Sequence, residues 1–492
     1  MSCTTLLVGK KASYDGSTMI ARNEDAGFTA FTPKKFIVVL PEEQPRHYRS
    51  VISHVEIDLP DDPLRYTAMI NANPIEGLWA AAGVNAANIS MTATETITTN
   101  DRVLAADPMV KLQKAESGTP EIPGGIGEED FVTLVLPYIR SAREGVLRTG
   151  QLLEQYGTYE SNGMAFSDSE EIWWLETVGG HHWIAARVPD DCYAVAPNYF
   201  NIDNFDLKDA FGAKKNFLCS EDLREFVDKF HLNLNQDAGF NPRLAFGSHT
   251  DADHSYNTPR SWYIEKYFNP HSAVWEGEQA DFTPRSDDIP WIRVPENKIT
   301  VSDVKYALSA YYQGTDYNPY GHYGDGTHKG ELRPIGINRN NFLSLTQIRP
   351  DFPAEIAVLE WVAMASNPFN AFVPFYANVD RTPEYLANTT TTVSTDNFYW
   401  VNRILGPLAD ASYSQSIQHI ERYQNNVQSE ASRLIHCYDA AFIAGNTTAT
   451  ELCEKANDEI AALTKTLTDD VLQKVLLEAT NGMKNKYSRA DT

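Results

Sequence analysis

Cys3 and Arg22 are the first residues whose types and spacing suggest chemistry. Leu6 to Val8 and Met19 to Ala21 read as two short strands, and Asp15-Gly16 between them is a dipeptide that favours the left-handed backbone of a hairpin turn. The ends of a hairpin lie side by side, so this spacing brings the thiol near the guanidinium. A neighbouring cation favours thiolate, the nucleophilic form of cysteine. A cysteine near a terminus also packs as a small apolar residue, and Arg-Asn-Glu-Asp after a strand also reads as a solvated loop, so spacing alone leaves both readings open.

The motifs decide between them. Cys-Thr-Thr at residues 3–5, Asp-Gly-Ser at 15–17 and Ala-Arg-Asn-Glu-Asp at 21–25 resemble the dipeptidase A family of cysteine N-terminal-nucleophile hydrolases, relatives of bile salt hydrolase and penicillin V acylase. The resemblance is sharpest at 1–25 and 83–97 and extends in pattern over most of residues 1–400. It implies Cys3 as nucleophile, Arg22 as the group favouring thiolate, and Asp25 as orienter of an amine or contact to substrate. The segment AVAPNYF places Asn198 after a strand and a proline, which by itself is ordinary turn chemistry. The resemblance makes it the donor to the oxyanion. It also sets Arg260, in the segment 254–262, beside the nucleophile. Thr94-Glu95 ends an apolar run where relatives of the bile-salt-hydrolase type carry an asparagine. A carboxylate donates no hydrogen bond unless protonated, so Thr94 and Glu95 are expected to hold the substrate, Glu95 through its ammonium group.

An N-terminal nucleophile serves as its own base. A free α-amine, with a reference pKa of about 7.7–8.0, can take the proton of a thiol at about 8.5. Cys3 follows two residues, so removal of Met1-Ser2 is expected to precede activity. The implied reaction is dipeptide hydrolysis through an acyl-enzyme, without metal or other cofactor. The alternatives are a related amidase of the bile-salt or penicillin V acylase type, and a non-catalytic interaction protein on the same scaffold. Asp251, Asp253 and His254 crowd too closely for a tetrahedral metal set. His322 and His328, in a stretch rich in glycine and tyrosine, read as loop histidines.

The elements that must position these residues follow from periodicity. Short runs at 36–40 and 66–70 read as strands, and those at 164–167, 171–177, 182–188 and 193–196, joined by tight polar connections, form an antiparallel meander. Apolar residues at helical spacing mark 128–143 and 145–156, a helix from Ser302 to Gln313, and a long helix from Ser414 through Phe442. Thr448 to Glu451 and Thr468 to Asp470 read as openings of two more. Antiparallel sheets with helical layers give an α+β class, and the resemblance specifies a four-layer αββα sandwich. Residues 1–400 are expected to be the catalytic domain, with 401–492 a helical extension packed on it or used in contacts of a homo-oligomer.

At 492 residues with a formal net charge of −25, the chain lacks the basic footprint that nucleic acid or an anionic membrane requires. Its five cysteines, Cys3, Cys192, Cys219, Cys437 and Cys453, have no CxxC or metal-type spacing, and their odd number points to reduced thiols. The opening residues lack the charged-then-apolar order of a secretory leader, and no window is apolar enough to span a membrane, so a cytoplasmic location is expected.

Overall fold

A computed structural model describes residues 3–27, 31–116, 118–236, 239–321, 324–445 and 448–485. The first hairpin pairs Thr4–Val8 with Thr18–Asp25, setting Thr5 opposite Arg22. Both strands are buried along their whole length, because they lie inside a seven-stranded antiparallel sheet. In spatial order its strands are Ile292–Arg293, Tyr193–Ala196, Thr4–Val8, Thr18–Asp25, Asn340–Ile348, Val358–Met364 and Val373–Tyr376. A second, six-stranded sheet runs Phe217–Cys219, His182–Val188, Ile172–Val178, Asn162–Ser167, Ser90–Thr96 and Ala82–Val84.

Alternation along these strands builds the layers. Successive side chains point to opposite faces of a sheet, and here both faces are apolar. Leu7 and Ile20 of the first sheet share a core with Trp174, Ile184 and Ala186 of the second. Their sequence neighbours Trp173, Leu175 and Trp183 turn away and pack on the helix Ala142–Tyr156 through Val146 and Leu153. On the far face of the first sheet Leu6, Val8, Met19 and Ala21 join Val304, Leu405, Ile420, Val427 and Ile460 from helices. The order is therefore helix, sheet, sheet, helix, the expected α+β sandwich.

Several local expectations need correction. The expected helix over 128–143 is instead a short helix, Phe131–Val135, and a single 3-10 turn at Leu136–Tyr138. Pro137 lies in that turn, where a proline cannot continue an α-helix. The helix expected from Ser302 runs Val301–Leu308, and Thr300 caps it through a reciprocal pair with Asp303. No separate helix opens at Thr468. One helix spans Ala449–Asn481, and Thr468 is buried inside it, its hydroxyl donating to Thr464 O at 2.7 Å and meeting Tyr423 Oη at 2.8 Å. The polar pattern there serves a helix-to-helix contact. The strand Asn340–Ile348 and the helix Thr258–Phe268 were not expected at all.

The long helix Tyr413–Ile443 is pinned to the first sheet by one buried ion pair. Arg349 Nη1 and Nη2 donate to Asp439 at 2.7 and 3.1 Å, and Tyr376 Oη donates to Asp439 Oδ1 at 2.8 Å. Asp439→Ala leaves Arg349 buried without its carboxylate, so it is expected to cost about 3 kcal/mol of stability, read as a lower denaturant midpoint. A midpoint equal to wild type would mean that this contact does not secure the helix. No helix among the described residues is long and apolar enough to cross a membrane.

Candidate active site

The strand alternation that turns Leu6 and Ala21 outward turns Arg22 into the gap between the sheets, where it is fully buried. Its Nη2 donates to Cys3 Sγ at 3.0 Å, to Glu128 Oε1 at 3.0 Å and to the Thr94 carbonyl. Its Nη1 donates to Ala81 O at 3.4 Å and lies 3.6 Å from Glu24 Oε2. Thus one guanidinium ties the sulfur to two carboxylates and to the end of the strand Ser90–Thr96 in the facing sheet.

A second guanidinium grips the same residue from the other side. Arg260, on the helix Thr258–Phe268, donates through Nη1 to the Cys3 carbonyl and, at 2.8 Å, to Thr4 Oγ1. Its Nη2 donates to Asn198 Oδ1 at 2.8 Å and to Asn257 Oδ1. An arginine after Thr-Pro often faces solvent, but here it is fully buried. Asn198 in turn donates from Nδ2 to Glu95 Oε1 and to the Thr96 carbonyl, both at 2.8 Å. Glu95 Oε2 accepts from Thr5 Oγ1 at 2.9 Å. Cys3, Arg22, Glu95, Asn198 and Arg260 therefore form one connected network drawn from both sheets and a helix.

Electrostatics in this network are set by burial. Burial pushes the Cys3 thiol up to about 12; Arg22 opposes the shift, while Glu95 and Glu128 add to it. Burial also lifts Glu95 to about 8, against the pull of Arg22, Arg260 and the Thr5 hydroxyl. Glu24 goes the other way: burial raises it, but Lys34, 2.8 Å from Oε1, together with Arg22 holds it below the usual carboxylate range.

Asp25 stands slightly apart from the network. Its carboxylate accepts from Arg333 Nη2 and from Asn340 Nδ2 rather than from Cys3. Thr94 offers its carbonyl to Arg22, while its buried Oγ1 has no partner among the described residues. Asn198 has both amide hydrogens engaged, so donation to an oxyanion would require exchanging one of those bonds. Asp253 is consumed as a helix cap, accepting from Thr250 and from Ser248 Oγ at 2.7 Å. His328 pairs with Glu331 at 2.6 Å on the surface; His322, like Met1 and Ser2, lies outside the described residues.

Sequence reasoning passed over Glu24, Glu128 and Lys34. Glu24 sits within the quoted motif, yet Glu128 is in an acidic run that reads as an ordinary helix start, 106 positions from Arg22.

The profile described as Peptidase family C69 matches residues 2–426. The chain belongs to this family. Among known proteins, this C69 peptidase is 56% identical over 462 residues to a protein named dipeptidase from Bifidobacterium longum (strain NCC 2705), covering 93% of this chain and 87% of that one. It is 52% identical over 492 residues to a probable dipeptidase A from Streptococcus pyogenes serotype M18, covering 100% and 98%. Dipeptidase A from Lactobacillus helveticus is 45% identical over 497 residues, covering 99% of both chains. A solved structure of a conjugated bile acid hydrolase variant from Clostridium perfringens aligns with a TM-score of 0.32 and 10% identity, over 76% of this chain and 97% of that one. That likeness is too slight to add to what the sheets themselves show.

Proposed function

We propose that this C69 peptidase hydrolyses dipeptides with the Cys3 thiol as nucleophile. The observation that carries the reading is the 3.0 Å contact between Cys3 Sγ and Arg22 inside a buried polar network. Relatives named dipeptidases at 45–56% identity supply the substrate class.

In the proposed mechanism the residues ahead of Cys3 are first removed, by the chain itself or by other peptidases. While they remain, the Cys3 nitrogen is an amide and cannot accept a proton. Once free, the α-amine takes the thiol proton, and Arg22 stabilises the resulting thiolate. The thiolate attacks the peptide carbonyl. Asn198 exchanges one of its present bonds to donate to the developing oxyanion, a contribution worth about 2.7–4 kcal/mol in comparable sites. The ammonium returns its proton to the leaving amine, and water then releases the acyl group and regenerates the thiol. Arg260 holds the Cys3 carbonyl and orients Asn198. Glu95 and Thr94 receive the substrate's ammonium end, and Asp25 orients the amine or contacts substrate.

We assign residues 1–400 to the catalytic unit and 401–492 to a supporting helical segment that also offers surface for self-association. A cytoplasmic homo-oligomer acting on small peptides, with neither nucleic acid nor membrane as partner, fits the net charge of −25.

A panel of free dipeptides, N-blocked dipeptides and N-acyl amides tests the reading. Free dipeptides are expected to be cleaved with kcat/KM about 10- to 100-fold above their N-blocked forms, the worth of a buried charge-assisted contact to the ammonium. Preferential cleavage of N-acyl amides would instead make the chain an amidase, and no cleavage of any member would leave a non-catalytic scaffold.

A further inference from the structure

Apart from the buried network, the fold leaves a cavity of about 480 Å³, within the range of about 300–1,000 Å³ usual for small-molecule sites. One wall is the helix Phe398–Ala411, and the segment 334–338 forms part of another. None of Cys3, Arg22, Glu95, Asn198 and Arg260 lines it. The segment leading into the strand Asn340–Ile348 stands between the two places. Arg333 and Asn340 hold Asp25, while Pro334, Ile337 and Asn338 face the cavity.

The lining is apolar and held in place. Tyr311, Tyr320, Phe369 and Phe31 supply rings, with four prolines among them. Tyr320 stacks on Tyr413 at 3.8 Å and Tyr311 meets it edge-on at 5.2 Å, while the hydroxyls of Tyr311 and Tyr413 stand 2.6 Å apart. Phe31 is 60% exposed, although its ring meets Trp400 edge-on. Walls fixed in this way lose little freedom when a ligand enters, and exposed apolar surface around a concave site favours a ligand with an apolar body.

Charge selects the other end of that ligand. The lining contains one cation and one anion, Arg403 and Asp410, both on the helix Phe398–Ala411. Arg403 is buried and directed away from a ligand: it donates to the carbonyls of Asn338 and Asn340 at 2.8 and 2.6 Å and to the Tyr399 hydroxyl at 3.0 Å, and the Phe31 ring lies over it at 5.4 Å. Asp410 is exposed and accepts from Tyr320 Oη, with no cation beside it among the described residues. It sits next to the last residue of its helix, the end where the aligned peptide dipoles disfavour a carboxylate and favour a cation. Aromatic faces add to the preference for a positive group.

We propose that this cavity is a second binding site, separate from the Cys3 network, for the amino-terminal residue of a peptide whose first side chain is apolar. The side chain packs among Tyr311, Tyr320 and Phe369, the ammonium meets Asp410, and the peptide continues into solvent. A free amino acid fits less well, because its carboxylate comes close to Asp410 and meets no cation that is turned toward it.

The test is calorimetric binding of L-phenylalaninamide to the full chain carrying Cys3→Ala, which consumes no probe, at about pH 6.5, where an α-amine with a reference pKa of about 7.7–8.0 is charged. The amide should bind saturably, with N-acetyl-phenylalaninamide and free phenylalanine each at least about threefold weaker. Adding Asp410→Asn should weaken the amide about three- to tenfold, as expected for an ion pair at the edge of a cavity. Adding Pro407→Trp, which fills the cavity from a helix position that any residue other than proline suits better, should weaken it at least about tenfold. Melting curves of both variants report that the fold is kept, and Asp410→Asn, a surface change, stands as the test if Pro407→Trp lowers the curve. No saturable binding, equal binding of the acetylated probe, or an affinity unmoved by Asp410→Asn would overturn the proposal. Free phenylalanine binding as tightly as the amide would overturn the assignment to a peptide end.

Discussion

Cys3→Ala is expected to abolish dipeptide hydrolysis, lowering kcat by about 10⁴-fold or more, while the chain keeps its fold. The magnitude follows from the role: without the attacking atom no acyl-enzyme forms, and removal of a nucleophile in comparable enzymes costs several powers of ten. The fold should survive because only one sulfur is deleted from a site already closed by other contacts. Arg22 keeps Glu128 and the Thr94 carbonyl, and Arg260 binds the Cys3 carbonyl through the main chain. The other four cysteines belong to different parts of the molecule. Cys192 precedes the strand Tyr193–Ala196, Cys219 ends an edge strand, and Cys437 and Cys453 lie on the C-terminal helices. Turnover within tenfold of wild type, with an unchanged melting curve, would move the nucleophile elsewhere.

Arg22→Met is expected to lower kcat/KM by about 10²- to 10³-fold and to shift thiol reactivity to higher pH. The sign follows from the opposing influences on Cys3. Burial raises the thiol, Glu95 and Glu128 raise it further, and Arg22 is the main group pulling it down. Removing that cation raises the pKa, so less thiolate exists at any fixed pH, about tenfold less for each unit of rise. The pH profile of iodoacetamide alkylation should therefore move upward in the variant. Stability should fall too, because Glu24 and Glu128 lose a buried counter-charge. Arg22→Lys should recover only part, since one ammonium can stand in for Nη2, which meets the sulfur, Glu128 and the Thr94 carbonyl, but leaves the place of Nη1 beside the Ala81 carbonyl and Glu24 unfilled. An alkylation profile unchanged in Arg22→Met would remove Arg22 from thiolate stabilisation.

Much of the site is written in local sequence, but its cohesion is not. The hairpin could be read from two apolar runs and Asp15-Gly16, and the meander of Asn162–Ser167, Ile172–Val178 and His182–Val188 from its short polar connections, whereas Tyr193–Ala196, expected as its next strand, crosses to the first sheet and pairs with Thr4–Val8. The strand Asn340–Ile348 escaped because its face toward the second sheet is polar: Thr346 accepts from Ser90 Oγ at 2.8 Å across the gap. That breaks the apolar run by which a buried strand is recognised. Thr468 misled for the opposite reason, since a cap-like hydroxyl is equally useful inside a helix that must meet another. Arg260 could be found by family motif, yet only the fold shows that it is buried against Cys3 and Asn198. Glu128, Arg333 and Arg339 carry no local signal, because what distinguishes them is a partner distant in the chain, Arg22, Asp25 and Tyr256 respectively, 106, 308 and 83 positions away.

The account stands on Cys3 acting as an N-terminal residue that supplies both sulfur and base. The most direct measurement is intact-mass and peptide mapping of active enzyme inactivated by a thiol-reactive dipeptide analogue. It should find one label, on the sulfur of Cys3, in a chain that begins at that residue. A label on Cys192, Cys219, Cys437 or Cys453, or full activity in a chain that still carries Ser2, would contradict it.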